Sequence, residues 1–361
     1  MSGQWKEGRG VANLMDYLDW RGGVSFLEEP LNGVDALCLA ELSYPEIWQG
    51  AAGRLRISLR DAASASFPET QEARYRSMVS AMAESRRFGD VSACRYAGVT
   101  DRAIGIQFAA VCFDLPDGTR VVSFRGTDAT IVGWREDFAM AYESPVPAQV
   151  AAAHYLEQVG TEADRLILTG HSKGGNLAAY AAVHAPEPVQ ARIAAVWSFD
   201  GPGLDDASLA SEGYRRICPR IHSVVPEASL VGLLLGHASR PTVVHSTGTG
   251  LYQHDPFTWK LLPPGVWDEA EGTTLLSKVA ELSLREGMRR VSPDRRRAVI
   301  EKAFRLVEAS GAETTAELRD RLKPGTLLAL LGDIGLEKEI SRVRKRIFGG
   351  NQDEHGNNGH S

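Results

Sequence analysis

Close cysteine pairs are missing from this chain. Its four cysteines (Cys38, Cys94, Cys112 and Cys218) stand far apart with no Cys-x-x-Cys unit. That spacing argues against a zinc site or a disulfide framework and leaves buried, reduced thiols as the expectation. Long apolar runs are missing too: none approaches the roughly 20 residues of a membrane-spanning helix. The start, Met1-Ser2-Gly3-Gln4-Trp5-Lys6-Glu7, is polar and carries no apolar signal core, so a cytoplasmic location is expected. Basic blocks are absent, and the formal net charge is −6, which gives no electrostatic footprint for nucleic acid. No internal repeat is visible, and no metal or organic cofactor is implied. What is present is an ordinary globular balance, 43% hydrophobic and 24% charged over 361 residues. That length allows one substantial core with a smaller appendage.

One stretch organises the rest: Leu166-Ile167-Leu168-Thr169-Gly170-His171-Ser172-Lys173-Gly174-Gly175-Asn176-Leu177-Ala178-Ala179-Tyr180. Leu166 to Thr169 is a short apolar run bounded by polar residues and Gly, which reads as a buried strand. Leu177 to Val183 is rich in Ala and Leu, which reads as a helix. Between them, Gly170 and Gly174 bracket Ser172 in the pattern G-x-S-x-G. With 36 glycines in the chain, that pentapeptide arises by chance in roughly one chain in four of this length, so its context must decide. The strand before and the helix after supply the context of a nucleophile elbow, where a serine occupies a strained turn and flanking side chains would collide.

Other elements fall around this turn. Leu14, Met15, Tyr17 and Leu18 give a short amphipathic segment, and Asn32-Gly33 marks a turn before the apolar stretch Val34 to Leu42. Residues 51–70 are small and polar and read as a loop, while 70–87 read as a surface helix with Tyr75, Met78, Val79 and Met82 on one side. Ile104 to Phe113 and Val121 to Phe124 flank Asp117-Gly118 as a hairpin. Residues 148–160 fit a helix. Ile193–Phe199, Arg220–Val225 and Pro241–His245 read as further strands. Strands alternating with helices predict an α/β fold with a mostly parallel sheet, whose ligands bind beyond the carboxyl ends of the strands. Thr127, Ser172, Asp200, Glu227 and His254 all follow such ends. Residues 1–265 are expected to form this domain and 266–348 a helical appendage. Residues 349–361, rich in Gly, Asn and His, are expected to be a disordered tail.

A serine hydroxyl needs a base to take its proton, and the base needs an acid to fix its tautomer. In elbow enzymes both follow the serine in the chain. Seven histidines do so here. His184 lies in the helix leaving the elbow, His222 and His245 in strands, and His355 and His360 in the tail. His237 and His254 remain, and His254, in a loop after the last core strand, is the better placed. Asp200, on the turn Gly201-Pro202-Gly203, and Glu227, one strand later, compete for the acid, with Asp200 favoured. The oxyanion hole would use the amide of Lys173 and one from Gly126-Thr127. The Lys173 side chain is either solvated or a guide for an anionic substrate.

These motifs resemble a known family. Val121-Val122-Ser123-Phe124-Arg125-Gly126-Thr127 and Leu168-Thr169-Gly170-His171-Ser172-Lys173-Gly174-Gly175 are similar to the class 3, fungal-type lipases of the α/β-hydrolase superfamily. Trp134 and Asp137 match that family's W-x-x-D signature. The segments 13–22, 198–203 and 253–257 look like an uncharacterised bacterial lipase-like branch. The resemblance implies an α/β-hydrolase fold, Ser172 as nucleophile, Thr127 at the oxyanion hole and 128–142 as a lid. Two positions depart from the pattern: Lys173 replaces an apolar residue, and Ser229 occupies the place where those lipases carry their acid. The expected activity is hydrolysis of a carboxylic ester of a lipid or small molecule by Ser172, His254 and Asp200. An acyltransferase or thioesterase on the same site, or a binding module that keeps only the fold, are the alternatives.

Overall fold

The computed structural model describes residues 12–48, 56–64, 72–101, 103–127, 140, 143–229, 231–232, 240–273, 292, 294, 297, 298 and 301. Among them, eight strands form one sheet in chain order. These are β1 (Ile57–Ser58), β2 (Ser92–Asp101), β3 (Ile106–Asp114), β4 (Arg120–Phe124), β5 (Leu166–His171), β6 (Ile193–Phe199), β7 (Ile221–Pro226) and β8 (Thr242–Val244). The pairs from β1 to β4 are antiparallel, and those from β4 to β8 are parallel. Each parallel step to β7 crosses over through helix: Pro147–Val159, then Lys173–His184 with Glu187–Gln190, then Asp206–Ala210 with Glu212–Ile217.

Alternation along the strands sorts the core into two layers. Val121, Ile167 and Phe199 face one cluster, built with the N-terminal helices α1 (Leu14–Arg21), α2 (Gly33–Glu41), α3 (Leu59–Ala63) and α4 (Ala73–Glu84). Val122, Phe124, Leu168 and Val196 face the other, built with the helices 147–159 and 173–184. A mostly parallel sheet in this order, covered on both faces and broken by a serine turn after β5, is the α/β-hydrolase fold.

The N-terminal helices are capped by their own sequence. Asn13 with Asp16, and Asn32 with Asp35, form reciprocal capping boxes that satisfy first-turn amides. Every residue of α2 from Val34 to Glu41 is buried. The helix is held by side chains of the sheet: Thr169 Oγ1 donates to the Ala36 carbonyl and Ser123 Oγ to that of Leu39, both at 2.9 Å. Asp35 also meets Arg87 as a fully buried pair, with Nε to Oδ1 at 2.6 Å, and accepts from Tyr17 Oη at 2.6 Å.

Three expectations change. The 51–70 stretch, read as a loop, contains β1 and α3, because Ser58 caps a helix that starts where the strand stops. The strand Ser92–Asp101 carries few consecutive apolar residues, so no periodic signal marks it in the sequence; its inner end pairs Cys94 with Cys112 across β2 and β3. Pairing at the far edge also runs past residue 265. Leu261–Leu262 and Val266–Trp267 form a hairpin, and Glu269 bridges to Val244. Beyond residue 273 the expected helical appendage lies almost wholly outside the described residues, as does the tail from 349. Among the described residues no helix is long and apolar enough to cross a membrane.

The Asp35–Arg87 pair yields a stability prediction. Asp35→Ala leaves a buried guanidinium unpaired and removes a cap, at a cost of about 3–5 kcal/mol. Arg86→Ala breaks only exposed contacts, with Glu28 and the Gly23 carbonyl, and costs less than about 1 kcal/mol. Urea unfolding of the two variants checks the ranking.

Candidate active site

The turn after β5 is set by close contact. A Cβ on Gly170 would lie 2.2 Å from the Gly174 carbonyl carbon, and one on Gly174 would lie 2.1 Å from the Phe124 carbonyl oxygen. Helix and strands therefore cross at a separation only hydrogen atoms allow. Ser172 between them takes φ 56° and ψ −130°, a region that a side chain enters only when its surroundings compel it. Its amide donates to the Phe199 carbonyl at 2.9 Å, which ties the turn to β6.

Register then delivers the acid. His171 lies opposite Phe199 in the β5–β6 ladder, so Ser172 and Asp200 emerge side by side at adjacent strand ends. Asp200 is also left-handed, with φ 45°, and is buried. Its Oδ1 accepts from Ser229 Oγ and from the Gly232 amide, the latter at 3.1 Å. Its Oδ2 faces His254 Nδ1 at 2.6 Å. On the far side of the ring, His254 Nε2 lies 2.9 Å from Ser172 Oγ. A carboxylate only accepts, so Nδ1 carries the hydrogen and Nε2 offers its lone pair to the serine hydroxyl.

His254 ends a short turn, Gly250–His254, that is anchored on both sides. Gln253 Oε1 accepts from the Ala228 amide at 2.9 Å, and the Gln253 carbonyl accepts from Trp259 Nε1 at 2.8 Å. Asp255 caps the next turn and pairs with Arg74.

Ser172, Asp200 and His254 are thus brought together. Glu227 is not among them: it faces His245 Nδ1 at 2.9 Å. His184 bonds Ser208 at 3.0 Å, and His222 stacks on Trp197. His237, Trp134 and Asp137 lie outside the described residues, as does nearly all of 128–142. Thr127 is half-buried in the loop after β4. The neighbouring Gly126 packs so closely on the elbow that a Cβ there would be 3.3 Å from Ser172 Cβ.

The Lys173 side chain departs from the expectation of a solvated ammonium. It is buried, and its Nζ donates to the Gln107 carbonyl at 2.9 Å, with Gln107 Oε1 at 3.3 Å. The ammonium is directed toward the start of β3, where carbonyl oxygens replace water. It is not solvated.

Two groups escaped sequence reasoning. His171 precedes the serine, and a search for bases after it passes over this position. Glu41 ends α2, whose run from Val34 to Leu42 is apolar except for Asp35 and Glu41; a carboxylate in such a helix was the available signal. Glu41 Oε1 lies 3.1 Å from His171 Nδ1 as an ion pair, off the line of a well-formed hydrogen bond. Burial alone would lower the His171 pKa, but the charge and contact of Glu41, the Asp200 charge and the His254 carbonyl together outweigh it, and the pKa stands above its ordinary 6.5. Among the described residues no three His, Cys, Asp or Glu side chains gather as metal ligands would.

A family model described as Mbeg1-like matches residues 82–305. No protein of curated function matches the chain at a significant level. Solved structures match at low identity. The crystal structure of M37 lipase is 16% identical over 56% of this chain and 70% of that one, with a TM-score of 0.36. A fungal lipase–inhibitor complex, presented as a model for interfacial activation in lipases, is 14% identical over 75% of this chain and 95% of that one, with a TM-score of 0.40. Likeness at these scores carries no argument about activity, and the fold assignment rests on the strand order above.

The raised His171 pKa fixes a pH dependence. A group whose folded pKa lies above its unfolded value contributes stability that is complete below the unfolded value, about 6.5, and is lost as pH rises through the folded one. Urea midpoints taken from about pH 6 to about pH 9 should therefore fall more in the wild type than in His171→Gln, where that proton is gone. Equal slopes would mean that His171 is neutral throughout.

Proposed function

The chain belongs to the Mbeg1-like family, and from the side chains gathered at its strand ends we propose that it is a serine hydrolase of the lipase or esterase kind. One observation carries the reading. An unbroken line runs from a buried carboxylate, through both nitrogens of one imidazole, to a serine hydroxyl in a strained turn, with steps of 2.6 and 2.9 Å. Three unrelated segments must converge to make it, and structural stability requires none of them to present these groups.

In this reading Ser172 Oγ attacks the carbonyl carbon of an ester while its proton passes to His254 Nε2. Asp200 remains ionised, holds Nδ1–H, and stabilises the cation formed. Ser229 and the Gly232 amide hold the other carboxylate oxygen, so the acid cannot turn away. The negative charge on the former carbonyl oxygen falls to the first-turn amide of Lys173 and the Thr127 amide in the adjacent loop. The alcohol leaves with the proton from Nε2, and a serine ester remains. Water then gives a proton to Nε2 as it attacks the acyl carbon, and collapse returns Ser172 and a carboxylic acid.

The Lys173 ammonium is engaged by Gln107, which favours a neutral ester of a lipid or other acyl compound over an anionic one. The chemistry of acyl transfer in this scheme is completed by protein groups alone.

Two experiments test the reading. A fluorophosphonate probe is expected to label the wild type and not Ser172→Ala; equal labelling, or none, would sink it. On a series of chromogenic esters, Asp200→Asn is expected to lower kcat by about 10⁴-fold. Glu227→Gln, whose carboxylate serves His245 instead, is expected to stay within about threefold of wild type.

A further inference from the structure

A second carboxylate–imidazole pair lies behind the first. His171, the last residue of β5, places Nε2 at 2.9 Å from the main-chain carbonyl of His254. The two rings stand 4.7 Å apart at 37°. On its other side, Nδ1 meets Glu41 Oε1 at 3.1 Å. Glu41 is itself buried, and its second oxygen accepts from Tyr75 Oη at 2.9 Å. Tyr44 completes the enclosure: its ring stacks on Tyr75, and its hydroxyl lies 3.4 Å from both His171 Nδ1 and the His171 carbonyl. None of these side chains has a part in the acyl chemistry described above.

Hydrogen-bond arithmetic sets the protonation. A carbonyl oxygen only accepts, so Nε2 must carry a hydrogen. Nδ1 faces a carboxylate oxygen at contact distance, and two lone pairs would repel there, so a second hydrogen lies on Nδ1. Below its raised pKa the ring is a buried cation facing Glu41. A charged donor makes a stronger bond to the His254 carbonyl than a neutral one would.

We propose that Glu41 and His171 are positioning residues. The charged His171 ring grips the main chain of His254, Glu41 keeps that ring charged, and together they set the distance at which His254 meets Ser172. The proposal rests on the reading of Ser172 and His254 as nucleophile and base. Asp200 fixes the rotation of the His254 ring, but the ring hangs on a loop turn. A second hold on the backbone fixes its depth, and the two are independent constraints on one residue. Misplacement by about 1 Å is enough to cost about 100-fold in rate.

The charge on His171 is set by groups from every element around it. Glu41 comes from α2, Tyr44 from the turn after it, Tyr75 and Arg74 from α4, Asp200 from the end of β6, and His254 from its own turn. Glu41, Asp200 and the His254 carbonyl favour the cation. Arg74 lies beyond Tyr75, over its ring and that of Phe257.

The test measures kcat and KM for ester hydrolysis against pH in four proteins, each first checked for a cooperative melt. His171→Leu removes the donor and is expected to lower kcat by about 100-fold with KM within about threefold. His171→Gln keeps a neutral donor, and is expected to recover at least about tenfold of that loss while abolishing the alkaline limb of the kcat profile. Glu41→Gln keeps the ring without its counter-charge, so its alkaline limb should move to lower pH than in the wild type. Should His171→Leu fail to fold, the limb in the other two variants decides. A wild type that neither hydrolyses esters nor takes a fluorophosphonate label removes the serine-hydrolase reading and the proposal with it. An active, labelled wild type, with variants that keep its kcat and its alkaline limb, overturns the proposal alone.

Discussion

Gly174 lies against the Phe124 carbonyl where a Cβ would stand 2.1 Å from the oxygen, and this contact is the constraint on which the site depends. It forces the helix 173–184 to leave β5 at a sharp angle. That angle drives Ser172 into a left-handed conformation and lifts its hydroxyl beyond the strand ends. The cost of such a conformation is of order 1–3 kcal/mol and is borne by the packing around it. Asp200 repeats the device one strand away, and the shared register keeps the two strained residues side by side. The third member needs no strain, because it comes from a loop and can be held by hydrogen bonds.

Polar groups are buried around this turn at a density that hydrophobic collapse would not produce. Lys173 is satisfied by Gln107, Asp200 by Ser229 and Gly232, and one oxygen of Glu41 by Tyr75, while the other is ion-paired with His171. Each costs several kcal/mol to desolvate and returns little net stability even when well paired. Their effect is on uniqueness. A shift of one strand or helix would strand a charge, so the arrangement that satisfies all of them is selected over near alternatives.

How much of this was legible in the sequence follows from what kind of force fixes each part. The strands β3 to β8 and the elbow were readable because apolar runs and glycine spacing are local signals of buried strand and forced turn. Asp200 could be preferred over Glu227 because a short carboxylate beside Gly201-Pro202-Gly203 has few ways to move, whereas Glu227 stands in a looser turn and in the structure serves His245. The strand Ser92–Asp101 was missed because its outer half is exposed and polar. Its pairing is decided by β3, and propensity yields to such a partner. The fate of the Lys173 ammonium was not readable, since it depends on a carbonyl 66 residues away in the chain. Glu41 failed for the same reason: its partner is fixed by how a helix packs on a sheet, which no local pattern states.

That packing makes α2 more than a cover. The matched family range begins at residue 82, yet α2 lies before it and is buried along nearly its whole length. Two side chains of the sheet bond to its carbonyls, Thr169 to Ala36 at mid-length and Ser123 to Leu39 in the last turn. The Ala36 carbonyl already accepts from the helix, so Thr169 uses its second lone pair and adds little energy, whereas Ser123 satisfies a last-turn carbonyl. What they fix is the slide of α2 along β4 and β5. A displacement by one residue would move Glu41 by about 1.5 Å along the axis and turn it by about 100°, away from His171. The serine and threonine on the strands thus control the register of a helix, and through it the carboxylate that reaches the imidazole beside the nucleophile.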